Sequence, residues 1–233
     1  MFKGKKILGI IPARSGSKGL KDKNIKELNN KHLIGYTIEA AKRSGIFEKI
    51  IVSTDSKIYA KIAKGYGADI PFIRCAELSG DNVSTVDVIL DCILKLEEIG
   101  EVYDYFILLQ PTSPLRNEDD IVQAMELLLS KKAKAVVSVC EVEHSSNLNI
   151  ILDETKSMSG FMKDLKIVRR QDFKKEYRLN GAIYIANIEY YKKHKTFYEE
   201  DSFAYVMSKE RSIDIDNLMD FNIAELYLIK YKY

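Results

Sequence analysis

The chain has 233 residues, enough to bury a sizeable core in one domain, and its 46% hydrophobic and 30% charged content is that of an ordinary soluble globular protein. Its 36 basic groups nearly cancel 34 acidic ones, leaving a net charge of +2, so no global field recruits nucleic acid or an anionic membrane. Three separated cysteines (Cys75, Cys92, Cys140) lack metal-ligand spacing and read as reduced thiols of a cytoplasmic protein, and the apolar run near the N-terminus is too short for a signal peptide or a membrane span.

Residues Ile7 to Ile11 form an apolar run that delivers a loop, Arg14 to Asn24, holding Gly16, Gly19, two serines and the cations Arg14, Lys18, Lys21 and Lys23. A buried strand ending in a glycine-rich loop suits anion binding, because backbone N–H groups can approach a ligand closely. The loop is neither a Walker A loop nor a Gly-x-Gly-x-x-Gly turn. A triphosphate cradle and a solvated lysine-rich loop both fit this segment alone.

Helical spacing follows over His32–Ser44, with Gly45 as the stop. Lys49–Asp55 is a second short apolar run ending in polar residues. Ser56–Tyr66 reads as a helix, and Ile70–Arg74 as a short strand. Ser84–Gly100 carries the longest amphipathic pattern, with Ser84 or Thr85 as the N-cap. Tyr105–Leu109 is a buried strand leading into Gln110-Pro-Thr-Ser-Pro-Leu-Arg116, a rigid turn. A helix over Glu118–Ser130 and a strand over Ala135–Val142 complete the alternation. Such alternation predicts an α/β fold with a mainly parallel sheet, whose ligands bind beyond the carboxyl ends of the strands. That places Arg14–Asn24, Asp55 and Gln110–Arg116 at one address.

The rhythm breaks after about Glu143. Residues 144–180 read as an arm that flaps or buries itself on another subunit. Strand character returns at Gly181–Ile185, and a last amphipathic helix runs through Asn222 to Ile229. The aromatics Tyr190, Tyr191, Phe197 and Tyr198, flanked by polar runs, are expected at an interface. In Ser212-Ile-Asp-Ile-Asp216, an extended backbone would turn Asp214 and Asp216 to one face and send Ile213 and Ile215 to the core. Two hard oxygen donors side by side suit Mg²⁺; two solvated aspartates on an edge strand are the plainer alternative. His32, His144 and His194 have no partner at metal-ligand spacing and read as surface or structural residues.

Four segments together, Ile11-Pro-Ala-Arg-Ser-Gly-Ser-Lys-Gly-Leu20, Gln110–Arg116, Arg178-Leu-Asn-Gly-Ala-Ile-Tyr184 and Ser212–Asp216, resemble the acylneuraminate cytidylyltransferases in order and separation across essentially the whole chain. The resemblance implies a Rossmann-like sheet with helices on both faces in one nucleotidyltransferase domain, residues 1–233. It also implies a homodimer joined through the arm at 144–180. It implies transfer of CMP from CTP to the anomeric hydroxyl of a nonulosonic acid, N-acylneuraminate first, with release of pyrophosphate.

By the same resemblance Arg14, Ser17, Lys18, Lys23 and Asn24 hold the triphosphate, with Arg14, Lys23 and Asp216 catalytic. Arg74, Val83 and Thr85 read cytosine and ribose. Gln110, Arg170, Asn180 and Tyr184 meet the sugar acid, while Phe197 and Tyr198 extend into the neighbouring subunit's site. Asp214 and Asp216 ligate Mg²⁺, with Mn²⁺ as the alternative ion. The run Ser145-Ser-Asn-Leu148 departs from the pattern of many sialate enzymes, which keeps legionaminate, pseudaminate and Kdo as alternative acids. An Asp-x-Asp glycosyltransferase is the more distant alternative.

Overall fold

The computed structural model describes residues 1–16, 19–146, 149–152, 154–158 and 174–231. In chain order the elements are β1 (Ile7–Pro12), β2 (Glu27–Leu28), β3 (Lys31–His32), α1 (Leu33–Ser44), β4 (Lys49–Ser53), α2 (Lys57–Tyr66) and α3 (Thr85–Glu98). After them come β5 (Tyr105–Leu109), α4 (Glu118–Lys131), β6 (Ala135–Glu141), β7 (Tyr177–Asn187), α5 (Ile188–His194), β8 (Ser202–Met207) and α6 (Leu218–Tyr231).

Six strands form one sheet in the order β4-β1-β5-β7-β6-β8, and only β7 runs against the others. β2 and β3 pair as a separate small hairpin. Alternation along the central strands divides the core into two layers. Ile7 and Ile11 of β1 and Ile107 and Leu109 of β5 face α1, α2 and α4, meeting Ile34, Ile38, Ala63, Met125 and Leu128. Leu8, Ile10, Phe106 and Leu108 face the other way, onto Ile89, Cys92, Ile93 and Leu96 of α3 and Tyr191 of α5. Both sheet faces are therefore covered by helices, the condition under which near-continuous apolar strands are stable. The expected Rossmann-like α/β fold is the observed one.

A third cluster lies beyond the sheet. Leu28, Leu33, Leu115, Ile215, Phe221 and Leu228 pack together and draw α6 and the segment before it against the end of β5. This cluster carries the chain's last quarter back to its beginning.

Helix ends follow their caps. Ser56, Ser84 and Asn117 each accept a backbone N–H three residues on, and Asn117 with Asp120 forms a reciprocal box at the start of α4.

Two expectations need correction, and two stretches take a form that the sequence pattern left open. Ile70–Arg74 is not a strand: the chain makes a single bridge to β4 at Asp69, and Pro71 then supplies no N–H to continue the ladder. Lys209–Asp216 is not in the sheet either. Its first residues make one 3₁₀ turn, and the rest is an extended connection tied by the Ile215 N–H to the Thr112 carbonyl (2.9 Å). β8 and α5 occupy a stretch whose polar flanks conceal them. Finally, Tyr191 and Phe197 are core, not interface. Both are under 10% exposed and pack edge-on or tilted against Phe106 and each other. Their neighbour Tyr198 is exposed.

Of the arm expected at 144–180, residues 147–148, 153 and 159–173 lie outside the described residues. Among those described, Ser145 and the Ser146 N–H both bond the Glu176 carboxylate (2.5 and 2.8 Å), which ties residues 145–146 to residue 176. No helix among the described residues is long and apolar enough to cross a membrane.

Candidate active site

A cleft of about 540 Å³ opens at the carboxyl ends of β1, β4 and β5, where the parallel strands leave their last side chains and loops. Arg14, Lys23, Asn24, Arg74, Gln110 and Asp216 all reach it. Sequence positions near 14 and near 216 thus share one wall.

The first loop is held by its own polar groups. Ser15 donates to Asp55 twice, from its backbone N–H (2.7 Å) and its hydroxyl (2.6 Å). Burial pushes the Asp55 carboxyl up, but these bonds and the nearby Arg74 charge outweigh it and hold the group below the usual carboxylate range. The bond joins the loop after β1 to the loop after β4. Asn24, itself buried, donates to the Arg14 carbonyl (3.2 Å) and closes the loop from below.

Arg14 pairs with Asp81 (2.8 Å), a cleft residue that nothing in the sequence pattern marked. Arg74 is buried, its Nε on Ser53 Oγ (3.0 Å) and its Nη2 on the Ser53 carbonyl. Burial lowers its pKa. Val83 and Thr85 line the cleft on the same side as Arg74, at the entry to α3.

Lys23 joins the two ends of the chain. Its Nζ donates to the Ile215 carbonyl (2.5 Å) and lies 3.2 Å from Asp216 Oδ1. The lysine side chain is 13% exposed and that of Asp216 is 78% exposed, so the cation is fixed while the carboxylate remains free to take another partner. Gly19 makes this approach possible: a Cβ there would stand 2.6 Å from the Asp216 carbonyl oxygen.

Asp214 and Asp216 are not equivalent. Asp216 faces the cleft, whereas Asp214 sits behind it, mostly buried, with its Oδ1 unpartnered among the described residues. Burial, aided by the neighbouring Asp216 charge, raises the Asp214 pKa against a hydrogen bond from the Thr112 side chain that lowers it. A buried carboxylate oxygen with no hydrogen-bond donor, beside a second carboxylate, leaves acceptor capacity that a cation can take up. Two hard oxygen donors fit a small divalent ion that completes its shell with water and phosphate.

A second cavity, about 300 Å³, adjoins the first and shares Thr85 and Gln110 with it. Tyr184, Phe197 and Tyr198 line it from the same chain, together with Lys195 and Thr196. Lys195 and Thr196 carried no sequence signal beyond a polar run. Asn180 lines neither cavity, because its amide is spent inside the fold on Ser138, Ser212 and the Ala182 N–H. Arg116 is fully buried and props the turn from within, bonding the Gln110 and Ala182 carbonyls and Thr37. Desolvation lowers its pKa to about 10, still well above neutrality. The expected triphosphate residues Ser17 and Lys18, and the expected acid ligand Arg170, lie outside the described residues.

These features define a Rossmann-like α/β protein with a cationic cleft over its strand ends. The chain belongs to the cytidylyltransferases, whose family model matches residues 8–230. It is 44% identical over 220 residues to the N-acylneuraminate cytidylyltransferase of Escherichia coli O18:K1:H7, covering 94% of this chain and 51% of that one. The CMP-N,N'-diacetyllegionaminic acid synthase of Legionella pneumophila is 36% identical, with 94% of this chain and 95% of that one covered. The pseudaminic acid cytidylyltransferase of Campylobacter jejuni is 32% identical, with 97% and 98% covered. The chain spans about half the length of the N-acylneuraminate cytidylyltransferases it matches. A solved CMP:2-keto-3-deoxy-manno-octonic acid synthetase, complexed with CTP, superposes with a TM-score of 0.73 at 14% identity, covering 97% of this chain and 99% of that one. At that identity the likeness is one of fold.

Proposed function

We propose that this protein transfers CMP from CTP to the anomeric hydroxyl of a nonulosonic acid, N-acylneuraminate in the first instance, and releases pyrophosphate. The observation that carries the proposal is the Lys23–Asp216 pairing at 3.2 Å within the cleft that also holds Arg14 and Arg74. The acid is chosen from the 42–44% identical relatives; the legionaminate and pseudaminate relatives supply the alternatives.

The chemistry demands charge control. The attacking alcohol belongs to an anion, and its target is a highly charged triphosphate. Arg14 and Lys23, with Ser17, Lys18 and Asn24, bind the phosphates and take up charge as the bond from the α-phosphorus to the bridging oxygen breaks. Arg74, Val83 and Thr85 hold the nucleoside side. Gln110, Tyr184, Phe197 and Tyr198 present the acid from the adjoining cavity, with Arg170 on its carboxylate and Asn180 behind. The anomeric oxygen forms its bond to the α-phosphorus in one in-line step, its proton passing to solvent, with no covalent enzyme intermediate. Asp214 and Asp216 are the residues to hold Mg²⁺, or Mn²⁺ in its place. When bound, that ion supplies Lewis-acid neutralisation of the phosphate charge.

The working unit is a cytoplasmic homodimer joined through the arm at 144–180. Ile151 supports this, standing 99% exposed beside the half-exposed Leu152. The test is pyrophosphate release from CTP with N-acylneuraminic, legionaminic, pseudaminic and Kdo acids side by side. Release with N-acylneuraminate above the rest is expected. Release with another acid alone moves the assignment to that acid, and none with any of them removes the activity. A glycosyltransferase would release no pyrophosphate.

A further inference from the structure

Behind the cleft Asn180 is joined by two buried serines, Ser138 and Ser212, that take no part in the proposed reaction. β6 and β7 slip out of register where Val137 pairs with Tyr184 but Val139 pairs with Leu179, so a step of two residues along β6 spans five along β7. Such a bulge strands backbone groups in the interior unless side chains take them up. Ser138 and Asn180 do so. The Ile183 N–H donates to Ser138 Oγ (2.8 Å), which donates to Asn180 Oδ1 (2.6 Å), and the Ala182 N–H donates to the same oxygen (3.2 Å).

The chain of bonds then leaves the sheet. Asn180 Nδ2 donates to Ser212 Oγ (2.9 Å), and that hydroxyl donates to the Ser208 carbonyl (2.7 Å). Ser138, Asn180 and Ser212 are all buried from solvent, so water cannot replace a lost member. Ser212 precedes Asp214 by two residues, and on the far side the Ile215 N–H is fixed to the Thr112 carbonyl. Asp214 therefore hangs between two anchored points. Gly181, next to Asn180, leaves the space beside Asp214: a Cβ there would lie 3.2 Å from Asp214 Oδ2 and 2.9 Å from Gln110 Oε1.

We infer that Ser138, Asn180 and Ser212 form a positioning relay that sets where Asp214 stands beside Asp216, and thereby the affinity of the carboxylate pair for a divalent cation. The inference rests on the metal-binding role proposed above for that pair. Alanine at 212 would leave the Ser208 carbonyl without this donor and Asn180 Nδ2 with only the weak Met207 Sδ acceptor (3.3 Å). Gly181 and Asp214 would then lose their common reference.

The test measures Mn²⁺ binding to the full chain with CTP present, by the paramagnetic signal of the free ion read against the same CTP without protein, because the nucleotide itself takes up the ion. Ser212→Ala is expected to weaken Mn²⁺ about 10- to 100-fold, the range for groups that orient metal ligands. Ser138→Ala should do the same from the other end, and the double variant should be no worse than either single one, because both break one relay. Met125→Ala, a cavity in the opposite core layer, should lower the melting temperature and leave Mn²⁺ affinity unchanged. Unchanged Mn²⁺ affinity in folded Ser212→Ala and Ser138→Ala, or an equal loss in Met125→Ala, overturns the inference. A wild-type protein that binds Mn²⁺ yet releases no pyrophosphate overturns the proposed reaction and leaves the relay standing. Absence of Mn²⁺ binding by wild type overturns the relay and the metal role of the carboxylate pair, while pyrophosphate release still decides the reaction.

Discussion

At Asp55 two bonds from Ser15 fix the loop after β1 to the loop after β4, and the carboxyl is held below its usual range. A carboxylate with a depressed folded pKa contributes stability above its unfolded pKa and loses it as pH falls through the folded value. Asp55→Ala is therefore expected to cost about 2–3 kcal/mol at pH 7, the scale of hydrogen bonds to a charged group. Its deficit against wild type should shrink in urea melts as the pH drops below about 4, near the ordinary carboxylate range. A deficit independent of pH would mean that the charge is not what holds Ser15. Residues such as Arg14, Lys23 and Asp216 were legible because their chemistry is local: cations in a glycine loop, acids two apart. Asp81 was not, since its role depends on a fold that brings it to Arg14. Nor could spacing separate the mostly buried Asp214 from the exposed Asp216; that difference depends on how the segment packs in the fold.

Elements with a clear period were predicted within a residue or two, among them β1, α1, α3, β5 and α4. Those hidden behind polar runs were not. β8 pairs with β6 as an edge strand, and only Met207 of its six residues is fully buried, which leaves little alternation to read. The β7 bulge is invisible for the same reason: it exists only in the pairing with β6. At Gly181, φ is +75° and a Cβ would crowd Gln110 and Asp214. Gly181→Ala should therefore lower both stability and turnover, with turnover falling at least tenfold in a steady-state assay at a temperature where the variant remains folded. Gly19→Ala forces apart two backbones instead of two side chains. It should raise the KM for CTP severalfold or more while shifting the melting temperature little, because the loop is at the surface.

On the scale of the whole molecule, the third core cluster is what folds the chain's end onto its beginning. Leu228 and Phe221 of α6 pack with Leu28, Leu33 and Leu115, and this sets Ile215 beneath Lys23. Dimerisation through the arm predicts a dimer in sedimentation velocity at micromolar concentration. Ile151→Glu should shift it toward monomer and reduce activity, whereas an unchanged dimer would move the interface elsewhere. In the sequence the strand–helix rhythm stops after about Glu143, which motivates the proposed arm but does not say where its apolar residues lie.

The joint site is tested most directly by the rate of pyrophosphate release from CTP and N-acylneuraminate, compared among wild type, Lys23→Ala, Asp216→Ala and the double variant. Each single change should leave a folded protein and cut the rate by more than about a hundredfold, and the double should be little worse than the singles, as expected of groups acting as a unit. Near-normal rates in either folded single variant, or losses that simply multiply in the double, would contradict a single nucleotide site built from the two ends of the chain.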